Sequence, residues 1–220
     1  MLEHAGVQIT WLGHDGFRLK KDKVVYLDPF QLSAAAEEPA DVVCVTHEHS
    51  DHLSVDDLAR IVTPHTTMVT IPACRAAAVG LHPKAVRVVK PGDWVEVDGI
   101  AIHAVPAYNT SKFRSPGNPF HPQADGKVGF VIEIGGLRIY HAGDTDAIPE
   151  MASLGSVDVA LVPVSGTYVM TAAEAVTACN AIRPTLAIPM HYGSIVGTAA
   201  DAEAFKKSAS CRVEILQPES

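Results

Sequence analysis

No apolar run in this chain of 220 residues comes near the ~20 needed to cross a bilayer; stretches such as 42–45 and 157–162 are typical. A membrane protein is therefore not expected. Clusters of Lys and Arg are missing too, and the formal net charge is −8. That balance argues against a broad nucleic-acid-binding surface, because affinity for phosphate backbones is carried by such clusters. A local cationic group could still grip a single phosphate. Cysteine is scarce and scattered: Cys44, Cys74, Cys179 and Cys211 lack any C-x-x-C spacing, so neither disulfides nor a cysteine zinc site is expected. The first residues show no basic patch followed by an apolar stretch and a small-residue cleavage site, which makes the cytoplasm the expected location. Low-complexity segments and repeats of fixed period are also absent.

What is present is enough apolar material for a core: 47% of the residues are hydrophobic, and the length lies at the upper end of what one domain holds. One domain over residues 1–220 is expected. Strand-like and helical runs alternate in two successive halves, which is an α/β pattern. Residues 7–12, 16–20, 24–28 and 42–46 read as strands. Residues 54–62 read as a helix, with Ser54 as N-cap and Asp56 and Asp57 in the first turn, where the helix dipole favours them. Strands follow at 67–71, 86–89, 94–97 and 100–105. Residues 108–126 are rich in Pro, Gly, Asn and Ser without a periodic pattern; a segment of that kind in a compact domain is more often functional than idle, and it reads as a lid. The second half offers strands at 127–134 and 137–141, joined by the hairpin signal Gly135-Gly136, then strands at 157–164, 185–189 and 212–216 with helices at 171–182 and 199–208. Two mixed sheets with helices outside would bury these runs.

Eleven histidines are many for this length, and their placement carries the argument. His47, His49 and Asp51 follow a strand at i, i+2 and i+4, a spacing that aims alternate side chains at one point. Imidazole nitrogen and carboxylate oxygen are zinc donors. His52 faces elsewhere, which suits a second ion beside the first. Asp144, in the turn His141-Ala142-Gly143-Asp144-Thr145, and His191, in Pro189-Met190-His191-Tyr192, also sit where strands end. Open sheets place ligands beyond strand ends, so three such turns could converge on one cleft. Taken singly, each group also reads as an ordinary polar turn residue.

Thr46-His47-Glu48-His49-Ser50-Asp51-His52, then the turn ending in Asp144-Thr145, then the His191 turn, resemble the ordered motifs of the metallo-β-lactamase superfamily over residues 9–193. Trp11-Leu12-Gly13-His14 and Asp28-Pro29 are similar to the branch that contains ascorbate-phosphate lactonase-like proteins. The resemblance implies a four-layer αββα sandwich. It implies His47 and His49 on a first ion, Asp51 and His52 on a second, Asp144 bridging them and His191 completing the second. One or two zinc ions are implied, with Mn or Fe as other occupants. Asp28 and Thr46 would orient imidazole ligands through the other ring N–H or through the backbone.

One position departs from that pattern. Most members supply a third ligand to the first ion from a histidine after a strand, and the matching place here, after residues 104–108, holds Asn109. A neutral carbonyl oxygen is a poor zinc ligand, so His121 is the candidate replacement, or a harder ion such as Mn is used. On this reading Asn109→His should retain or tighten the metal. His14, again at a strand end, borders the site or packs structurally. Lys112 and Arg114 in the lid suit a phosphate or carboxylate, or are solvated loop charges. Tyr168 could hydrogen-bond a substrate or pack in the core. Between two ions a bridging water would lose a proton near neutral pH and attack a carbonyl or phosphoryl centre, with Asp51 shuttling a proton to the leaving group. The expected function is hydrolysis of a small anionic ester, lactone or phosphoester. A nuclease or phosphodiesterase, a non-catalytic ligand sensor with a degenerate first site, and an iron oxidoreductase are the alternatives. Apolar edges leave a homo-oligomer open.

Overall fold

In this computed structural model, which describes residues 1–34 and 38–219, alternating apolar residues at the start of the chain build four antiparallel strands. These are β1 (Leu2–His4), β2 (Val7–Gly13), β3 (Gly16–Lys20) and β4 (Val24–Leu27). Three more, β5 (Val42–Val45), β6 (Thr67–Thr70) and β7 (Ala85–Val88), add to β4 in parallel, so the sheet runs in chain order from β1 to β7. Strands β4, β5 and β6 are buried at every residue, because parallel strands are covered on both faces; β4 and β5 are unbroken apolar runs, and β6 begins and ends on Thr67 and Thr70.

The second sheet repeats this plan. Strands β8 (Trp94–Val97), β9 (Ile100–Pro106), β12 (Val128–Ile134) and β13 (Leu137–His141) are antiparallel neighbours, and β14 (Val159–Pro163), β15 (Leu186–Met190) and β16 (Arg212–Val213) follow in parallel. The turn between β12 and β13 is made by Gly135 and Gly136, both at positive φ (60° and 82°), as a two-residue hairpin of the primed type requires. Parallel neighbours need long crossovers, and these carry the helices: α1 (Val55–Ile61), α2 (Arg75–Gly80), α3 (Ala172–Ile182) and α4 (Ala199–Ser208). Helix α2 lies against β6 and β7, α3 against β14, and α4 against β15. Each longer helix buries one stripe, such as Ala175, Ala178 and Ile182 on α3 or Ala202 and Phe205 on α4. The architecture is a four-layer αββα sandwich of the α/β class. A single apolar cluster includes Phe17, Leu19 and Tyr26 of the first sheet and Phe130, Ile132 and Tyr140 of the second. No helix among the described residues is long and apolar enough to cross a membrane.

Four features differ from the sequence expectation. Strand β1 and helix α2 are additional; each is too short to display a period. Residues 108–126 carry a small antiparallel ribbon, β10 (Phe113–Ser115) with β11 (Asn118–Pro119). The last strand keeps only two residues of the expected five. Ala187 O accepts from Glu214 N, and strand alternation turns Pro189 to that same side, where it has no N–H to continue the ladder.

Candidate metal centre

Seven turns meet at one end of the two sheets. From the first sheet come His14 and Asp15 after β2, Asp28 after β4 and His47 to His52 after β5; from the second come Asn109 after β9, Asp144 after β13, Ser165 after β14 and His191 after β15. Several of these backbones are in the left-handed region, with φ of 48° at His14, 40° at Asp28 and 60° at His191. Non-glycine residues persist there only when their surroundings hold them. His14 is so held: its carbonyl accepts from Trp11 Nε1 at 2.9 Å and from His191 N at 3.0 Å.

Outer hydrogen bonds fix which nitrogen each imidazole turns inward. Asp28 accepts from Thr46 N (2.8 Å) and Thr46 Oγ1 (2.5 Å) with its two oxygens, and its Oδ2 also accepts from His52 Nδ1 at 2.7 Å. With its hydroxyl proton given to Asp28, Thr46 Oγ1 accepts from His47 Nδ1 at 3.0 Å. His191 Nδ1 donates to Ser165 Oγ (2.9 Å), and His121 Nδ1 to Asn109 Oδ1 (2.9 Å). Thus His47, His52, His121 and His191 each turn Nε2 to the cleft, the arrangement by which imidazole ligands are oriented.

The inward atoms form two groups. In the first, His47 Nε2 lies 2.9 Å from His49 Nδ1, and His121 Nε2 lies 3.4 Å from His49 Nδ1 and 3.3 Å from Asp144 Oδ2. In the second, which also takes in His14 with its Nε2 4.0 Å from Asp15 Oδ2, His52 Nε2 is 3.4 Å from Asp15 Oδ2 and 3.3 Å from Asp144 Oδ1, and His191 Nε2 is 3.5 Å from Asp144 Oδ1. Donors to one ion at ~2.0–2.2 Å stand about 3 to 4 Å apart, which these spacings match. Both Asp15 oxygens, Asp144 Oδ1, His52 Nε2 and His191 Nε2 are buried without a hydrogen-bond partner among the described residues. Orphaned buried polar atoms are costly, and their convergence on shared points fits a divalent transition-metal ion.

Charge tells the same story. Burial and the neighbouring His52 hold the His47 pKa well below the ordinary imidazole value, and burial brings His121 down to about 4, so both rings are neutral donors. Burial opposes ionisation of Asp144, yet His52 and His191 keep its pKa well below the usual range. Burial likewise disfavours charge on His52 and His191, but Asp144 with Asp28 raises the first well above normal, and Asp144 with Asp15 pushes the second up to about 9. The carboxylates around these two rings call for positive charge, as protons or as a cation.

Residues 8–191 match the model of the β-lactamase superfamily domain. Over 96% of its length the chain is 33% identical to a UPF0173 metal-dependent hydrolase of Methanosarcina mazei, covering 94% of that protein. The chain belongs to the β-lactamase superfamily, among its UPF0173 metal-dependent hydrolases. It is also 36% identical to the corresponding protein of Methanopyrus kandleri, over 96% of this chain and 97% of that one. A solved structure from Parabacteroides distasonis, described as a candidate metal-dependent hydrolase, superposes with a TM-score of 0.79 at 30% identity, covering 97% of this chain and 94% of that one.

Within this UPF0173 hydrolase the sequence-predicted residues are distributed as follows. His47, His49, His121 and Asp144 stand in the first group and His14, His52 and His191 in the second, with Asp144 facing both. Asp51 is on the rim: its Oδ2 accepts from His14 Nε2 at 3.1 Å and lies 3.7 Å from His52 Nε2. Burial would raise the Asp51 carboxyl, but the His14 hydrogen bond and His52 bring it down to about 2. Asn109 is not among the converging atoms, its carbonyl oxygen being taken by His121. Lys112 is engaged elsewhere, at 2.7 Å from Glu174 Oε2 and 3.6 Å from Asp146 Oδ1. Arg114, Phe120 and Tyr168 wall a cavity of about 340 Å³ that opens on His49, Asp51 and His121.

Three positions in or beside the centre escaped the sequence reading. Asp15, fully buried in the second group, reads as a turn acid beside His14. Asp146 accepts from Asn109 Nδ2, Thr110 N and Ser111 N (3.1, 2.7 and 2.6 Å), pinning the base of the 108–126 segment. Lys127, 3% exposed, donates to Glu48 Oε1 at 2.5 Å and so braces the loop from His47 to His49. A lysine opening a buried strand was the one available signal for the last.

Proposed function

We propose that this hydrolase cleaves a small anionic ester, lactone or phosphoester with two divalent ions. His47, His49 and His121 would hold one, and His52 and His191 the other, with Asp144 between; zinc leads, with Mn or Fe as alternatives. Bound there, such ions acidify a water and polarise the oxygen of the bond to be cleaved. The chain's own groups do the rest. Asp51 is ionised at neutral pH, partly exposed to the cavity and steered by His14, so it can take a proton and pass it to the leaving group. Residues 108–126 act as a lid on the single domain, and their ribbon carries Arg114 over the cavity.

Arg114 is the observation that carries the substrate class. Its guanidinium sits 5.0 Å above the Phe120 ring, and it forms no ion pair among the described residues, whereas Lys112 is tied to Glu174. An unpaired guanidinium on an aromatic shelf suits a planar anion such as carboxylate or phosphate. The likeness of residues 11–14 and 28–29 to ascorbate-phosphate lactonase-like proteins puts a lactone or phosphoester first.

The test is a panel of lactones and phosphoesters in matched anionic and neutral forms. Arg114→Ala should raise KM for the anionic members about 10- to 100-fold, the worth of one charge-assisted hydrogen bond, and leave neutral members alone. Equal turnover of both forms by the native enzyme, unaffected by Arg114→Ala, would sink the anionic assignment.

A further inference from the structure

Asp15 takes no part in the chemistry above, yet its placement is expensive. It follows β2, it is 0% exposed, and neither carboxylate oxygen meets a hydrogen-bond donor among the described residues. A buried carboxylate without donors is tolerated beside a cation and hardly otherwise. Its Oδ2 faces His52 Nε2 at 3.4 Å and His191 Nε2 at 4.0 Å, the same unpartnered nitrogens that face Asp144 Oδ1 at 3.3 and 3.5 Å. Four atoms from four turns therefore surround one point. His14 stands in the same group, its Nε2 4.0 Å from Asp15 Oδ2 and 3.1 Å from Asp51 Oδ2.

We infer that Asp15 is a ligand of the ion held between His52, His191 and Asp144, and that it makes this the oxygen-rich position, favouring a harder divalent ion such as Mn²⁺ over zinc. The inference rests on the two-ion reading and deepens it. Its basis is the contrast between the two groups. The first offers three imidazole nitrogens and one oxygen of Asp144. The second gathers His14, His52 and His191 about Asp15, with Asp144 Oδ1 as a second carboxylate 3.3 Å from His52 Nε2 and Asp51 Oδ2 as a third at 3.7 Å. Nitrogen-rich sets suit zinc, and carboxylate-rich sets suit Mn²⁺.

The experiment strips the full chain of metal, offers equal Zn²⁺ and Mn²⁺, and counts both by elemental analysis after desalting; anomalous scattering at the two absorption edges locates them. One ion of each kind is expected, with Mn²⁺ beside Asp15. Asp15→Asn keeps the shape and removes the charge, and should retain the ion at His47 and His49 while weakening the other at least about tenfold. His49→Ala should do the reverse. If Asp15→Asn binds both ions as the native chain does, Asp15 is a neutral buried acid and the inference falls, while the two-ion reading stands. Two zinc ions taken from the mixture overturn the metal preference. A native chain that takes up no second ion overturns the two-ion reading itself. Should circular dichroism show Asp15→Asn unfolded, the native Mn-edge map decides, and an ion beyond ~3 Å from the Asp15 carboxylate refutes the ligand.

Discussion

Asn109 is held from every side. Its Oδ1 accepts from His121 N at 2.8 Å and His121 Nδ1 at 2.9 Å, while its Nδ2 donates to Asp146 Oδ1 at 3.1 Å and Tyr168 O at 2.8 Å. An imidazole has one donor and one acceptor nitrogen and cannot make all four of these hydrogen bonds, so the geometry argues against the expectation that Asn109→His retains or tightens the metal. Asn109→Ala should likewise release His121 and weaken the ion at His47, His49 and His121 about 10- to 100-fold, the usual cost of losing a partner behind a ligand. Competition with a chromophoric chelator measures this, and an unchanged affinity would show that Asn109 merely fills space. The motive for reading the site as a degenerate sensor was the lost ligand at this position, and His121 in the cluster removes it. His47 and His49 were legible because i, i+2 spacing after a strand is local, whereas Asp51, third in that series, stands instead beside His14 and His52. A missing histidine at position 109 was enough to name His121 as the substitute, but the role of Asn109 itself stayed hidden, because a hydrogen bond that crosses a loop leaves no periodic trace. Asp15 was illegible for the same reason: its partners His52 and His191 come from distant turns.

At the scale of elements, the strand-end turns must pass very close to one another. Gly143 precedes Asp144 at φ 62°, and a Cβ there would lie 2.9 Å from Val128 O and 3.2 Å from Thr46 Cγ2. The second contact bears on the centre, since Thr46 links Asp28 to His47. Gly143→Ala should therefore cost about 1–3 kcal/mol through strain at a positive φ and also reduce metal content. Thermal melts and elemental analysis would check it, and a variant with native melting and full occupancy would show the turn free to adjust. The elements themselves were mostly readable. Apolar runs buried on both faces marked β4, β5, β14 and β15, and Ser54 with Asp56 and Asp57 marked α1, where Ser54 Oγ accepts from Asp57 N. Helix α2 and the β10–β11 ribbon span too few residues for a period to develop. Which turns would meet was also beyond periodicity, for that depends on how one sheet lies on the other.

Across the whole molecule, the two groups draw on both sheets. His47 and His49 from the first sheet face His121 and Asp144 from the second half of the chain, and Asp15 and His52 face Asp144 and His191. An ion in either place thus cross-links the sandwich at one end, where the apolar cluster gives way to polar turns. Because the folded chain presents these donors together and the unfolded chain does not, binding adds to stability by linkage. With free metal about 100-fold above Kd the gain is ~2.7 kcal/mol per ion, and in a domain of this size that corresponds to a Tm shift of about 5–11 °C. Chelation should lower Tm by that order for each ion removed, and re-addition of metal should restore it in a concentration-dependent way. Asp144→Ala, which faces both positions, should already melt near the chelated value and respond little to added metal. If chelator leaves the native Tm unchanged while elemental analysis shows the ions gone, the sheets are held by their apolar interface alone and the centre contributes nothing to their cohesion.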